Sequence, residues 1–167
     1  MPERSPRAFP RATRLRKPEQ FAAVVGDRAT WRAARQLLAA SARLETPAES
    51  DRPTLEQESR DSVDRPASTV RQPEADSVQF GFTVGRRQAR RAAQRSLVKR
   101  VLREAARNAL GTLRPLVADR NVDIVLRLRS PLPGVDQMGQ AELKRCLRTE
   151  ADSLIAQLAR HLRTGKP

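Results

Sequence analysis

The sequence predicts a single domain that combines α-helices with β-strands, and three patterns support this. Residues 78–84 alternate apolar and polar side chains, as a half-buried strand does. Residues 90–110 and 136–162 instead place apolar side chains at helical spacing. At 167 residues the chain can form one domain with a real core, but it is too short for two ordinary domains with linkers.

A short first helix is predicted to begin at Pro18 and to end before Gly26. Proline suits the first helical position and Glu19 suits the positive end of the helix dipole. Residues 30–43 are assigned to one or two strands, although their alanine content would also suit a helix. Residues 78–84 are the next strand, with Val78, Phe80, Phe82 and Val84 on one face.

The second half of the chain is predicted to alternate helix, strand and helix. Gly111 is expected to end the helix over residues 90–110, because glycine favours the position after a helix. Residues 122–128 are a strand, and Pro131, Pro133 and Gly134 mark the loop that follows. The last helix is expected to pack on the sheet through an apolar stripe: Leu143, Leu147, Ala151, Leu154, Leu158 and Leu162.

Two segments are predicted to be disordered by composition. Residues 1–13 are rich in proline and arginine without apolar periodicity, which predicts a basic tail that either touches phosphates or is simply solvated. Residues 44–77 hold nine acids, four arginines and four prolines, which predicts an acidic insertion. The folded domain is therefore expected to span residues 14–165, interrupted by residues 44–77.

The charge of the chain indicates a polyanionic partner. The formal net charge is +14, and because the acidic insertion carries −5, the other 133 residues carry +19. A membrane surface would attract the same charge, but no apolar run approaches the roughly 20 residues that span a bilayer. No membrane partner is predicted. The N-terminus lacks the apolar core of a secretory signal, so a cytoplasmic location is expected.

The helix over residues 90–110 separates an apolar face from a cationic one. At about 100° per residue, an apolar stripe forms from Leu97, Val98, Val101, Leu102 and Ala105. The basic side chains fall on the other side, and residues 86–107 hold nine of them with one acid, Glu104. Like charges four residues apart weaken a helix by tenths of a kcal/mol. The pattern therefore indicates a phosphate ligand rather than a merely solvated face.

This stretch resembles the bacterial ribonuclease P protein family. The resemblance rests on Gly81-Phe82-Thr83-Val84, Arg86-Arg87, Arg90-Arg91-Ala92, Arg95-Ser96-Leu97-Val98-Lys99-Arg100, Arg103-Glu104 and Arg107. The family usually reads Arg-Asn-Arg-x-Lys-Arg-x-x-Arg-Glu here, the RNR motif, so Ser96 and Leu97 depart from it. The segment from Arg14-Leu15 to Phe21 and the strand around Asp123 extend the resemblance.

The resemblance implies an α+β fold in the order α-β-β-β-α-β-α. It also implies a left-handed crossover between the third and fourth strands, as in the second domain of ribosomal protein S5. General experience with βαβ units would instead favour the right-handed form.

The resemblance implies the function of a ribonuclease P protein subunit, which binds the catalytic RNA and the 5′ leader of precursor tRNA and assists endonucleolytic removal of that leader. The implied RNA-binding residues are Arg86, Arg87, Arg90, Arg91, Arg95, Lys99, Arg100, Arg103 and Arg107. A cleft between the first helix and the sheet would hold the leader. Because single-stranded bases stack on aromatic rings, Phe21, Phe80 and Phe82 are the cleft candidates. A core contact is the alternative for Phe21, and Phe80 and Phe82 share one strand face, so they face the core or the cleft together.

The resemblance implies that the RNA carries out catalysis and binds most of the Mg²⁺. No catalytic residue and no metal site are predicted in this chain, and no obligate protein partner is predicted. His161 has no second histidine or patterned carboxylates nearby in sequence, and Cys146 falls on the apolar side of the last helix. The main alternative is a non-enzymatic RNA-binding protein such as a ribosome-associated factor. A DNA-binding regulator would need a helix before the basic helix, whereas a strand is predicted there.

Overall fold

A mixed four-stranded sheet with helices on both faces forms the fold, and the α+β class is confirmed. The computed structural model describes residues 9–26, 31–45, 78–117, 120–134 and 137–165. Within them the elements are α1 (Pro18–Val25), β1 (Trp31–Ala34), β2 (Leu38–Glu45), β3 (Val78–Thr83), α2 (Ala92–Val117), β4 (Asn121–Leu128) and α3 (Gln140–Thr164).

The described strands lie in the order β1-β2-β4-β3. The β1–β2 and β2–β4 pairs are antiparallel, whereas β3 and β4 are parallel and are joined through α2. At the outer edge of β3, the Leu15 N–H donates to the Phe80 carbonyl at 3.0 Å, and the Phe80 N–H donates to the Thr13 carbonyl at 2.7 Å. The handedness of the β3–α2–β4 crossover stays a prediction.

The two faces of the sheet carry separate apolar clusters, because side chains alternate along each strand. One face packs against α2 and α3 and holds the larger cluster, including Phe80, Ile124 and Leu126. The other face packs against α1, where Leu15, Val24 and Val125 are buried and Phe21 lies against them. Helix α1 therefore lies across the sheet from α2 and α3.

The prediction of the first helix is confirmed, including its end at Gly26, whose N–H donates to the Ala22 carbonyl at 2.8 Å. Residues 30–43 are expected from the sequence to form one or two strands, with a helix as the alternative. They supply β1 and most of β2, so the strand assignment is confirmed. The last helix ends at Gly165, whose φ of 58° lies in the left-handed region that glycine adopts readily.

The predicted end of the second helix at Gly111 is wrong, because α2 continues to Val117. Gly111 lies on the exposed side, while Leu113 and Val117 extend the buried stripe by nearly two turns. A glycine inside a helix costs about 1 kcal/mol, whereas burying one leucine contributes about 1.5–3 kcal/mol. Apolar burial therefore outweighs the local preference of the glycine.

The boundaries of both predicted disordered segments need correction. Residues 9–13 belong to the fold: Phe9 is only 5% exposed, and its ring meets those of Phe80 and Phe82 at centroid distances of 6.1 and 5.8 Å. Leu44 and Glu45 are paired with β4 as the end of β2. The ring of Phe9 orders the first segment and the pairing with β4 orders the second, and amino-acid composition alone reveals neither contact. Residues 1–8 and 46–77 lie outside the described residues.

Candidate nucleic-acid interface

The predicted basic residues gather along α2 and the loop before it. Six of them are exposed, namely Arg86, Arg87, Arg90, Arg91, Arg100 and Arg103. Arg95, Lys99 and Arg107 are half-buried. The buried stripe on the opposite side contains Val98, Val101, Leu102 and Ala105, as the helical spacing predicts, with Leu97 half-buried beside it. The helix thus presents one apolar and one cationic face.

Arg95 has a structural task within this basic set. Its Nη1 donates to the Ala89 carbonyl at 3.1 Å and to the Arg90 carbonyl at 2.7 Å. The guanidinium therefore ties the preceding loop to the first turns of α2. These hydrogen bonds brace the loop that carries Arg86, Arg87, Arg90 and Arg91.

A shallow groove of about 540 Å³ lies between this loop and residues 131–134. Arg87, Arg90 and Arg91 line one side. The Leu132 N–H donates to the Gln88 carbonyl at 2.9 Å, which holds the two loops together. The groove offers several fixed cations at the start of α2, an arrangement that suits successive phosphates.

A second groove, of about 480 Å³, lies further along α2 beside the N-terminal segment. Arg100, Arg103 and Arg107 line it from α2, and Phe9 and Arg14 line it from the other side. Sequence reasoning assigned no binding role to Phe9 or Arg14. Only the burial of Phe9 reveals that the N-terminal segment reaches α2.

The three aromatic cleft candidates are not brought together by the structure. An ideal Cβ on Gly81 would point at the Phe21 ring, so Phe21 covers the α1 face of β3, while Phe80 and Phe82 project from the opposite face. Phe80 is 1% exposed and has no ring surface for a base, so its assignment to the cleft is corrected to a core role. Phe82 is half-buried beside Phe9, and Phe21 is half-buried on the sheet-facing side of α1.

Gly81→Ala is expected to push the Phe21 ring away from the sheet. The added Cβ would lie 2.5 Å from Cε1 of Phe21 and 3.0 Å from Cδ1 of Leu15. Such overpacking costs about 1–3 kcal/mol, measurable by urea unfolding. Gly134→Ala is the control, since nothing lies within 4 Å of its added Cβ. Adding Phe21→Leu to Gly81→Ala should restore part of the stability; no recovery would contradict the packing explanation.

Next to Phe21, the α1 face of the sheet carries a row of polar residues. Gln79, Asp123 and Arg43 are cross-strand neighbours, and Arg43 forms an ion pair with Glu45 at 2.8 Å. Burial and, to a lesser degree, the charge of Glu45 raise the pKa of Asp123 to about 6, against the opposing effect of Arg43. Asp123 therefore loses its proton only near neutral pH.

Asp123→Asn is expected to stabilise the protein above about pH 6. Because the folded group holds its proton to a higher pH than the unfolded group, the contribution of Asp123 to the free energy of unfolding falls between about pH 4 and pH 6 and stays constant above. Urea midpoints at about pH 4 and pH 7.5 should show a stabilisation that grows with pH. The exposed Glu142→Gln is the control, and an advantage independent of pH would refute this explanation.

The chain supplies little chemistry of its own in the described residues. No three His, Cys, Asp or Glu side chains among them lie close enough to hold a metal ion. Burial raises the pKa of the half-buried Cys146 thiol, which disfavours the reactive thiolate. His161 packs against Trp31 at a ring-centroid distance of 6.4 Å. In the same residues, no helix has the length and apolar character needed to cross a membrane.

The fold and the site together define a small, basic α+β protein with cationic grooves beside α2, its preceding loop and the N-terminal segment. The profile of the Ribonuclease P family matches residues 9–155. A relative from Thioalkalivibrio sulfidiphilus, described as a ribonuclease P protein component, is 30% identical over 128 residues, which are 77% of each chain.

A solved structure shares this fold. The ribonuclease P protein of Staphylococcus aureus superposes with a TM-score of 0.50 and 13% identity, covering 87% of this chain and 94% of that one. The chain belongs to the ribonuclease P protein family.

Proposed function

We propose that this chain is the protein subunit of ribonuclease P, which binds the catalytic RNA and the 5′ leader of precursor tRNA and assists removal of the leader. The observation that carries the proposal is the family match over residues 9–155, which includes the cationic face of α2. The proposal includes two further features of the family fold: a left-handed β3–α2–β4 crossover and a likeness to the second domain of ribosomal protein S5.

The RNA subunit would meet the cationic face of α2 and the braced loop before it. Arg87, Arg90 and Arg91 stand together at one groove, and Arg100 and Arg103 at the other. Each phosphate they neutralise releases counterions, so the affinity should fall steeply with salt. Leu97 packs against the core, so the missing cation at this motif position lies beside the apolar face rather than at the centre of the basic face.

The leader would bind on the α1 face of the sheet. Phe21 is half-buried there, and the polar row that includes Gln79 and Asp123 continues from it. A half-exposed ring beside hydrogen-bonding groups suits an unpaired base, which needs a stacking surface and polar partners. Phe80 has no part in this surface, because it is buried on the opposite face.

Hydrolysis is assigned to the RNA, so the enzyme is the RNA–protein complex, acting in the cytoplasm. Mg²⁺ is assigned mainly to the RNA, as the family resemblance implies. The task of the protein is then to position RNA by charge and stacking.

The proposal is tested by adding the purified chain to a bacterial ribonuclease P RNA and a precursor tRNA at low Mg²⁺. Cleavage at the mature 5′ end should rise strongly over the RNA alone, because the protein's cations replace part of the ionic screening that Mg²⁺ otherwise supplies. An unrelated basic protein, added at equal total positive charge, controls for unspecific charge. RNA binding without any stimulation of cleavage would instead support a non-enzymatic RNA-binding protein.

A further inference from the structure

Arg14 lines the groove between the N-terminal segment and α2. Its Cζ lies 5.6 Å from the centroid of the Phe9 ring, and its Nη2 donates to the Phe9 carbonyl at 2.6 Å. Its backbone is also fixed, because Arg14 bridges to Phe80 at the edge of β3. The guanidinium is therefore held in one place before any ligand arrives, which lowers the entropy cost of binding.

The hydrogen-bonding capacity of Arg14 is not filled. Its Nε is buried and has no hydrogen-bond partner in the described part of the chain. An unsatisfied donor on a charged group is costly, and such donors require an explanation in a native structure. The Arg14 guanidinium is therefore incompletely hydrogen-bonded within the described part of the chain.

Positive charge accumulates around this site, where four arginines and one acid among the described residues line the groove. The pKa of Arg14 is lowered, first by burial and then by the neighbouring Arg103, Arg11 and Arg16, so the cations destabilise one another. Within the described residues, Arg100 and Arg103 form no ion pair. Glu104 is the acid that lines the groove, but it is 54% exposed and faces Arg148 of α3 at 3.5 Å. An anion in the groove would relieve this repulsion.

We infer that this groove is a binding site for RNA backbone phosphates, with Arg14 and Arg103 as paired ligands and Phe9 as the support of Arg14. The inference rests on the proposed function and adds Arg14, with Phe9 as its support, to the predicted basic set. The volume of about 480 Å³ lies within the range of ligand sites and exceeds what one phosphate fills. Guanidinium groups suit this ligand, because they bind phosphate oxygens in a fork.

The test compares Arg14→Gln with Arg16→Gln in the full-length chain. Both variants lose one positive charge from the same segment. Arg16 is exposed and does not line the groove, so it serves as the matched control. Affinity is measured over a KCl series in two arms: the ribonuclease P RNA alone, and precursor tRNA binding to the assembled complex. The arm that changes identifies which RNA supplies the phosphates.

Arg14→Gln should weaken binding about tenfold in one arm and lower the salt slope by about 0.7–0.9, the value of one lost phosphate contact. Arg14→Lys should restore the slope but only part of the affinity, because lysine keeps the charge without the fork. Combining Arg14→Gln with Arg103→Gln should cost less than the sum of the two, because they share a ligand. A purely structural role for Arg14 would move the melting temperature but not the slope.

If Arg14→Gln and Arg16→Gln show equal affinities and equal salt slopes in both arms, the groove assignment is wrong, even if the wild-type chain stimulates cleavage. The proposed function is wrong in a different case, namely if the wild-type chain does not stimulate cleavage. If Arg14→Gln unfolds, Arg14→Lys still tests the site, because it keeps the charge and loses only the fork.

Discussion

Reversing Lys99, Arg100 and Arg103 to glutamate is expected to weaken binding of the ribonuclease P RNA by more than about a thousandfold. Two of the three side chains are exposed and the third is half-buried, and all three lie on the same helix. Each reversal removes a phosphate contact and adds a repulsive charge, so the salt slope should also fall by roughly 2 to 3. Filter binding or fluorescence anisotropy over a KCl series measures both quantities.

A matched reversal separates local contact from net charge. Lys144, Arg160 and Arg163 are exposed on α3, and changing all three to glutamate alters the net charge equally. We expect this control to weaken binding far less, since long-range charge is screened beyond about 10 Å at ordinary salt. Equal losses for the two triple variants would mean that the RNA responds to overall charge and that α2 is not its binding surface.

Arg95 is left out of the reversal because the structure gives it a different task. The sequence places Arg95 on the cationic face by helical spacing, but spacing cannot show that its guanidinium turns back to the Ala89 and Arg90 carbonyls. A glutamate at this position would break the loop as well as remove a charge. Its effect on RNA binding would therefore mix two causes.

The sequence predicts most of the elements, because each carries a local signal. The alternation of residues 78–84 predicts β3, and the apolar stripe of residues 97–105 predicts the buried side of α2. The same spacing also predicts the cationic face. These features depend on neighbours within a few residues, which is the range that periodicity covers.

Features that depend on distant partners could not be predicted in the same way. Alternation shows that Phe80 and Phe82 share a face, but only the topology shows that α2 covers this face while α1 and Phe21 cover the other. The order of residues 9–13 likewise depends on the rings of β3 meeting Phe9. The groove at Arg14 depends on this contact of Phe9. The Pro- and Arg-rich sequence of the N-terminal segment therefore predicts neither the contact nor the groove.

Glu150→Ala is expected to lower the free energy of unfolding by about 2–4 kcal/mol, because it removes the acceptor of buried backbone donors. The carboxylate of Glu150, on α3, accepts from the N–H groups of Leu37 and Leu38, each at 2.9 Å. Leu37 and Leu38 are buried at the turn between β1 and β2. Without Glu150, both donors would lose this acceptor while remaining enclosed.

Chemical denaturation measures this loss, and two variants define its cause. Glu150→Gln keeps one acceptor oxygen and should lose roughly half as much stability. Glu142→Ala removes an exposed acid from the first turn of the same helix and should cost at most about 1 kcal/mol, the contribution of such an acid to the helix dipole interaction. Amide exchange should accelerate more in β1 than in β4, since β1 is an edge strand and β4 lies inside the sheet. If Glu150→Ala matched Glu142→Ala, water would be replacing the carboxylate, and the β1–β2 turn would not depend on α3.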